Sequence, residues 1–394
     1  MFKDNRVFGA ILIIVGTSIG ASMLVLPMIS SLMGMMNAFL LLFFIWLLGY
    51  LASTIILNVS LFYKGAFSVS ELCKKSFSSK IWVLADLSII TLFYTLLSAY
   101  MSGIIDISVN NNITRHLDCI SKNFIGCCIV VILIALIIFN FKVLDISNRI
   151  IVLVQLSIFV VILYFLSSKI ELKNLRDCNI LFGNNAYKAM PIFFTSFGFH
   201  GSIPFIIKYL DNNERNVRKA CFFGSLMSLV IYWLWIFFTL SVLPKYGVIS
   251  FNAVQHSNNK TSSFINMLAK VTSQHSLDHV VSLFSGLAII TSFLGVGIGL
   301  YDYFLEKLKL DNQFFINKLK AIVLTFLPPF VVAILNKNIF LSGLSVAAIS
   351  LSLLAIILPS LILLKIGRKN KFTTVISLII GLLIVIIEIT NFLV

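Results

Sequence analysis

His200 is the most chemically loaded residue of this chain. It lies in PIFFTSFGFHGSIP, residues 191–204, inside an apolar run over about residues 186–207. An imidazole titrates near neutrality and both donates and accepts hydrogen bonds, so it can carry a proton or hold a polar ligand. Its neighbours Gly198, Gly201, Ser202 and Pro204 are equally foreign to a continuous apolar helix. Glycine frees the backbone, and Pro204 removes one donor and displaces the carbonyl four residues earlier, that of His200. The spacing predicts a helix broken in its middle. At membrane depth the unpaired C=O and N–H groups of such a break persist only where protein or a water-filled cavity covers them.

A second stretch repeats the pattern. VGTSIGASMLVLP, residues 15–27, interrupts an apolar span with Gly16, Gly20, Thr17, Ser18 and Ser22, and ends on Pro27. At a break, one half-helix ends in free carbonyls and the next begins with free N–H groups. N–H ends suit a carboxylate, and carbonyl ends suit an ammonium or a sodium ion. Two facing breaks therefore make a receptor for a zwitterion, the backbone of an α-amino acid. The expected contributors are Gly16, Thr17, Ser18, Ile19 and Gly20 from the first break. The second supplies Thr195, Phe197, Gly198, Phe199, His200 and Gly201. The carboxylate is expected on amides near Ser18, Ile19 and Gly20, and the ammonium on carbonyls near Gly16 and around Thr195 to Phe197. Phe197, Phe199, Tyr94 and Tyr100 are candidate walls for an aromatic side chain. Thr291 and Ser292 are candidate coupling or cavity hydroxyls, and His200 a candidate proton carrier.

The elements that must position these residues are membrane spans. Hydrophobic residues make up 59% of the 394 and charged residues only 11%, too little charge for a soluble domain of this length. The pattern predicts an all-α membrane protein with eleven spans at about 7–33, 37–63, 81–107, 124–140, 148–167, 186–207, 219–241, 280–304, 320–335, 341–364 and 372–392. Short surface helices are expected near residues 68–77 and in TSSFINMLAKV. The N-terminal stretch resembles a signal peptide but runs on too far, and is read as a retained first span. With the N-terminus inside, 20 of the 30 lysines and arginines fall on inner segments, which places the C-terminus outside. The two broken spans then enter from opposite faces. Residues 7–167 and 186–364 become two inverted five-span halves, and residues 372–392 an additional helix.

Other chemistries find little support. The net charge of +15 is scattered through short loops and is explained by topology, not by nucleic acid. GVGIG sits in a membrane span with no strand before it, so it is no dinucleotide fingerprint. His275, Asp278 and His279 have metal-like spacing but no further ligand pattern, and a solvated turn is the expectation. There is no nucleophile elbow, P-loop or HExxH motif, and no cofactor or metal is expected. Asp86, Asp106 and Glu388 are expected to reach water from span ends. Cys119 and Cys178 fall in loops of the same face; whether they pair is left open by the sequence.

GTSIGASMLVLP, FTSFGFHGSIPFIIKYLDNN and TSFLGVGIGLYDYF, in that order, resemble the hydroxy/aromatic amino acid permeases of bacteria, nearest to the tyrosine-specific branch. Ser22 departs from that pattern, standing where a glycine is expected. The resemblance implies a leucine-transporter-like fold, location in the bacterial inner membrane, and proton-coupled uptake of tyrosine or tryptophan. It places the substrate at Gly16 to Gly20 and Phe197 to Gly201. The span reading alone leaves sodium open as the coupling ion. It also leaves a serine or threonine carrier, or an amino acid sensor on the same scaffold, as rival functions. No residue pattern speaks to oligomeric state.

Overall fold

Every regular element of the described chain is helical, and the long helices follow the apolar runs of the sequence. The computed structural model describes the backbone of residues 2–65, 67–77, 80–109, 119–139, 141–175, 183–257, 260–272, 275–309, 315–336, 339–367 and 371–393. The helices are α1 (Phe2–Ser18), α2 (Ser22–Met33), α3 (Met35–Phe62), α4 (Val69–Ser76), α5 (Ile81–Val109), α6 (Cys119–Phe139), α7 (Phe141–Ser167), α8 (Asn184–Ser196) and α9 (Ile203–Tyr209). They continue as α10 (Glu214–Val242), α11 (Phe251–Gln255), α12 (Lys260–Thr272), α13 (His275–Lys307), α14 (Phe315–Leu335), α15 (Ile339–Ser352), α16 (Leu358–Ile366) and α17 (Lys371–Leu393). A 3₁₀ turn, Phe199–Ser202, leads into α9, and a π turn, Leu353–Ile357, joins α15 to α16.

Among the described residues, eight helices are long and apolar enough to cross a membrane, and nine if the bent pair at the N-terminus is one span. In lipid only structures that pair their own backbone can cross, and helices do so locally. Shorter apolar stretches at Phe124–Ile134 and Ile151–Ser167 fall where two further spans are expected.

The two short surface helices form as their sequences predict. α4 begins with a capping box, Ser68 and Glu71 each holding the other's backbone N–H. Near the start of α12, Ser262 Oγ donates to the Asp106 carboxylate of α5 at 2.9 Å. Asp86, on α5, is 7% exposed and does not reach water. It accepts from Ser70 Oγ at 2.7 Å and pairs with Lys307 of α13. Glu388 is also buried and accepts from Ser345 Oγ at 2.6 Å. These acids tie helices together instead of snorkelling, because a buried carboxylate must find donors. Cys178 and the side chains of Cys119, His275, Asp278 and His279 lie outside the described residues.

α5 runs through the middle of the fold, against α6, α13, α14 and α15. Small residues permit this packing. A Cβ on Gly343 of α15 would lie 3.0 Å from the Thr95 carbonyl and 3.2 Å from Ala99 Cβ, so α15 rests directly on the α5 backbone. Gly343→Leu is expected to push the two helices apart and lower stability by about 1–3 kcal/mol, the usual cost of overpacking. Thermal unfolding of the purified protein measures this.

Candidate functional site

The first expected break is real. α1 ends at Ser18, α2 starts at Ser22, and the axis turns by 58° between them. Ile19 N–H still reaches Val15 O at 2.7 Å, while Met23 and Leu24 make tight bonds to Gly20 O and Ala21 O, each 3.1 Å. Ala21 N–H finds a side chain instead, Ser292 Oγ of α13 at 3.3 Å. Among the described residues nothing accepts from the Gly20 or Ser22 N–H, and nothing donates to the Gly16 or Thr17 carbonyl. The second break is gentler. α8 ends at Ser196, Phe197 and Gly198 leave the helix, and the 3₁₀ turn restores it, so Asn184–Tyr209 still reads as one span.

Gly16 and Gly20 act here by size, and none of the four break glycines by backbone freedom. Gly16, Gly20, Gly198 and Gly201 all keep ordinary φ values; among the described glycines the left-handed region holds only Gly34, Gly247 and Gly367. A Cβ on Gly20 would sit 2.0 Å from Ser292 Oγ, and one on Gly16 3.2 Å from Val152 of α7. Pro204 likewise does not interrupt a helix. It stands in the first turn of α9, where its missing N–H has no partner to lose. Pro27, inside α2, does leave a carbonyl without its helical donor, that of Met23, and the indole N–H of Trp235 takes it.

One hydroxyl joins the two breaks. Tyr232 of α10, fully buried, donates to Ser18 O and also, at 2.8 Å, to Ser196 O. Two acceptors of one oxygen lie within about 6 Å of each other. The terminal carbonyls of α1 and α8 therefore face the same point. Phe197 is fully buried edge-on against Tyr232, its ring centre 5.5 Å away. Tyr100, 8% exposed, brings its hydroxyl near Ser292 and Tyr232.

His200 is 3% exposed, and its ring lies against Phe199, centroids 4.5 Å apart. Nε2 meets the Gly49 carbonyl of α3 at 2.9 Å, which makes Nε2 the protonated nitrogen of the neutral ring. Nδ1 has no hydrogen-bond partner, with the Phe197 carbonyl close by. α3 passes beside the second break: a Cβ on Gly49 would make ordinary contact, at 3.7 Å, with both the imidazole and Phe197 Cβ.

The structure thus gathers Gly16, Ser18, Ile19, Gly20, Tyr100, Thr195, Phe197, Gly198, Phe199, His200 and Ser292 around the breaks. Thr17 turns outward, exposed, and bonds its own helix. Tyr94 donates to Leu324 O of α14 at 2.6 Å, and Thr291 bonds back to Leu287 O and Ala288 O. Gly201 is exposed with open space about it. The half-helices also meet at their far ends, where Arg6 of α1 pairs with Asp211 just past α9 and Gly9 faces the Tyr209 hydroxyl. Among the described residues no His, Cys, Asp and Glu cluster could hold a metal ion.

Residues 3–394 match the tryptophan/tyrosine permease family. The chain belongs to that family. The permease is 29% identical over 397 residues to the tyrosine-specific transport system 1 of Haemophilus influenzae, covering 96% of each chain. It is 26% identical to the low affinity tryptophan permease of Escherichia coli, covering 95% of this chain and 91% of that one. Among solved structures it resembles Mhp1, a nucleobase-cation-symport-1 family transporter in a closed conformation, with a TM-score of 0.59 at 13% identity over 90% of this chain and 77% of the other. The fold is accordingly that of the leucine-transporter-like carriers, and the protein is a transporter, not an enzyme.

Three further residues border the candidate site of this permease, two of them without a clear mark in the sequence. Tyr232 and Trp235 sit in IYWLW, where nothing separates them from ordinary span residues. Gln155 of α7 had a signal, since an amide within an apolar span is costly. It is 1% exposed and neither amide atom is partnered. Val152, one turn before it, lies against Gly16, and Phe159, one turn after it, packs on Trp235 at 5.9 Å, which sets Gln155 at the depth of the first break.

Gly20→Ala is expected to reduce both thermal stability and transport through its collision with Ser292 Oγ. Adding Ser292→Ala in the same chain should recover most of the loss, since only Oγ is in the way. Transport normalised to the amount of protein in the membrane reads this, and no recovery would place the defect elsewhere.

Proposed function

We propose that the protein is a secondary transporter importing an aromatic amino acid, tyrosine foremost and tryptophan next, across the bacterial inner membrane. The observation that carries this reading is the meeting of two helix breaks at one buried hydroxyl. Free carbonyls beside free N–H groups suit the two charged ends of an amino acid and little else of that size. The substrate carboxylate lies on the Gly20 and Ser22 N–H groups. The ammonium takes the carbonyls at the ends of α1 and α8, including Gly16, Ser18, Thr195 and Ser196. Phe197 and Tyr100 flank the ring, with Phe199 behind His200. The substrates of the tyrosine and tryptophan carriers named above support the same choice.

The coupling ion in this reading is the proton, with sodium the alternative. His200 offers one unpartnered buried nitrogen, and protonation there creates an N–H beside the Phe197 carbonyl. Proton uptake then tightens the second break. The chain crosses the membrane eleven times, N-terminus inside and C-terminus outside. Its halves, residues 7–167 and 186–364, are inverted relative to each other, and residues 372–392 are an addition. The 20 to 10 division of basic residues supports that orientation, and a helix at each expected span supports the count.

In proteoliposomes, an imposed pH gradient, acid outside, should drive accumulation of labelled tyrosine. Excess tryptophan should compete and serine should not. His200→Asn should retain exchange of labelled for unlabelled tyrosine but lose gradient-driven accumulation. Accumulation that needs a sodium gradient, or equal competition by serine, would contradict the reading.

A further inference from the structure

Tyr232 does something that an ordinary core tyrosine has no reason to do. Its hydroxyl is shared between two carbonyls that are each the last of a half-helix, Ser18 O and Ser196 O. Both carry the partial negative charge of a helix C-terminus, and neither has a helical N–H to accept from. A phenol has one proton and cannot satisfy both at full strength. An ammonium has three donors and a full charge, which makes it the stronger ligand for the same pair. Tyr232 itself comes from α10, which is unbroken. Gly224, two turns earlier on the same face, brings α10 against α1, for a Cβ there would lie 2.7 Å from Ile14. Trp235, one turn later, holds Met23 O of α2. The hydroxyl is therefore held in place from both sides of the first break.

We infer that the Tyr232 hydroxyl is a built-in competitor for the substrate's amino group: it occupies the facing carbonyls of the two breaks while the carrier is empty, and yields them when an amino acid enters. This rests on the reading of the breaks as the amino acid site and adds a selection rule to it. A ligand must bring a cationic amine to displace the phenol. An acid of the same shape without the amine leaves Tyr232 where it is. The competitor also closes the empty site by tying the half-helices together, and it lowers affinity for the true substrate by the strength of the bonds displaced.

The test measures equilibrium binding of labelled tyrosine and of 3-(4-hydroxyphenyl)propanoate, which lacks the amine, to the full chain in nanodiscs. Tyr232→Phe removes one oxygen and should tighten tyrosine binding roughly three- to tenfold, the worth of one displaced hydrogen bond, and leave the amine-free acid unchanged. A measurement without a packing change accompanies it. 3-Fluorotyrosine incorporated at position 232 should shift its fluorine resonance on adding tyrosine and not on adding the amine-free acid. Tyrosine binding that is unchanged or weaker in Tyr232→Phe, with a resonance indifferent to tyrosine, would overturn the competitor. If Gly20→Ala weakened tyrosine binding in that case, the site would stand without it. If Gly20→Ala also bound normally, the site itself would be wrong.

Discussion

Backbone polar groups cannot be left bare in a low-dielectric interior, and this permease is arranged around the few that its helices leave over. A continuous span pairs every C=O and N–H within itself. α1 and α8 stop short, and each stop releases carbonyls on one side and amides on the other. The surrounding spans then contribute single polar atoms where they are needed: Ser292 Oγ to Ala21 N–H, Trp235 Nε1 to Met23 O, Tyr232 to Ser18 O and Ser196 O. Gly20 and Ser22 N–H with Gly16 and Thr17 C=O keep no partner among the described residues, and in the proposed reading they are the capacity for a ligand.

The same constraint explains which parts of the site the sequence disclosed. Both interruptions were legible because glycine, hydroxyl residues and proline crowd together against an apolar background. Their partners were harder. Tyr232 and Trp235 look like any aromatic residues of a span until the carbonyls they serve are in place. Glycine at a break suggests backbone freedom, yet Gly20 is needed for the room it gives Ser292. Thr17 and Tyr94 have the right type and neighbourhood in sequence but turn to an exposed surface and to α14. A helical period of 3.6 fixes direction only when the start of the helix and its tilt are known, and neither is written in a single apolar run. Acids near span ends misled for a related reason. Asp86 and Asp106 had helix partners from α4, α13 and α12 that no local pattern announces.

The half-helices are joined at two levels. At the breaks the join is a hydroxyl that an ammonium outcompetes. At the other end it is the Arg6–Asp211 pair, which is solvent-exposed and correspondingly weak. Neither join is strong, and both link the segments that alternating access must move against the rest. A carrier needs its moving parts held by bonds of about the strength that one substrate molecule can replace.

The central claim is that the two breaks together hold the charged ends of an amino acid. A structure of the full chain with tyrosine bound tests it most directly. The account predicts the amino nitrogen within hydrogen-bond distance of Ser18 O or Ser196 O, and the carboxylate on Gly20 N–H. Tyrosine bound away from both breaks, with Tyr232 still on Ser18 O and Ser196 O, would contradict it.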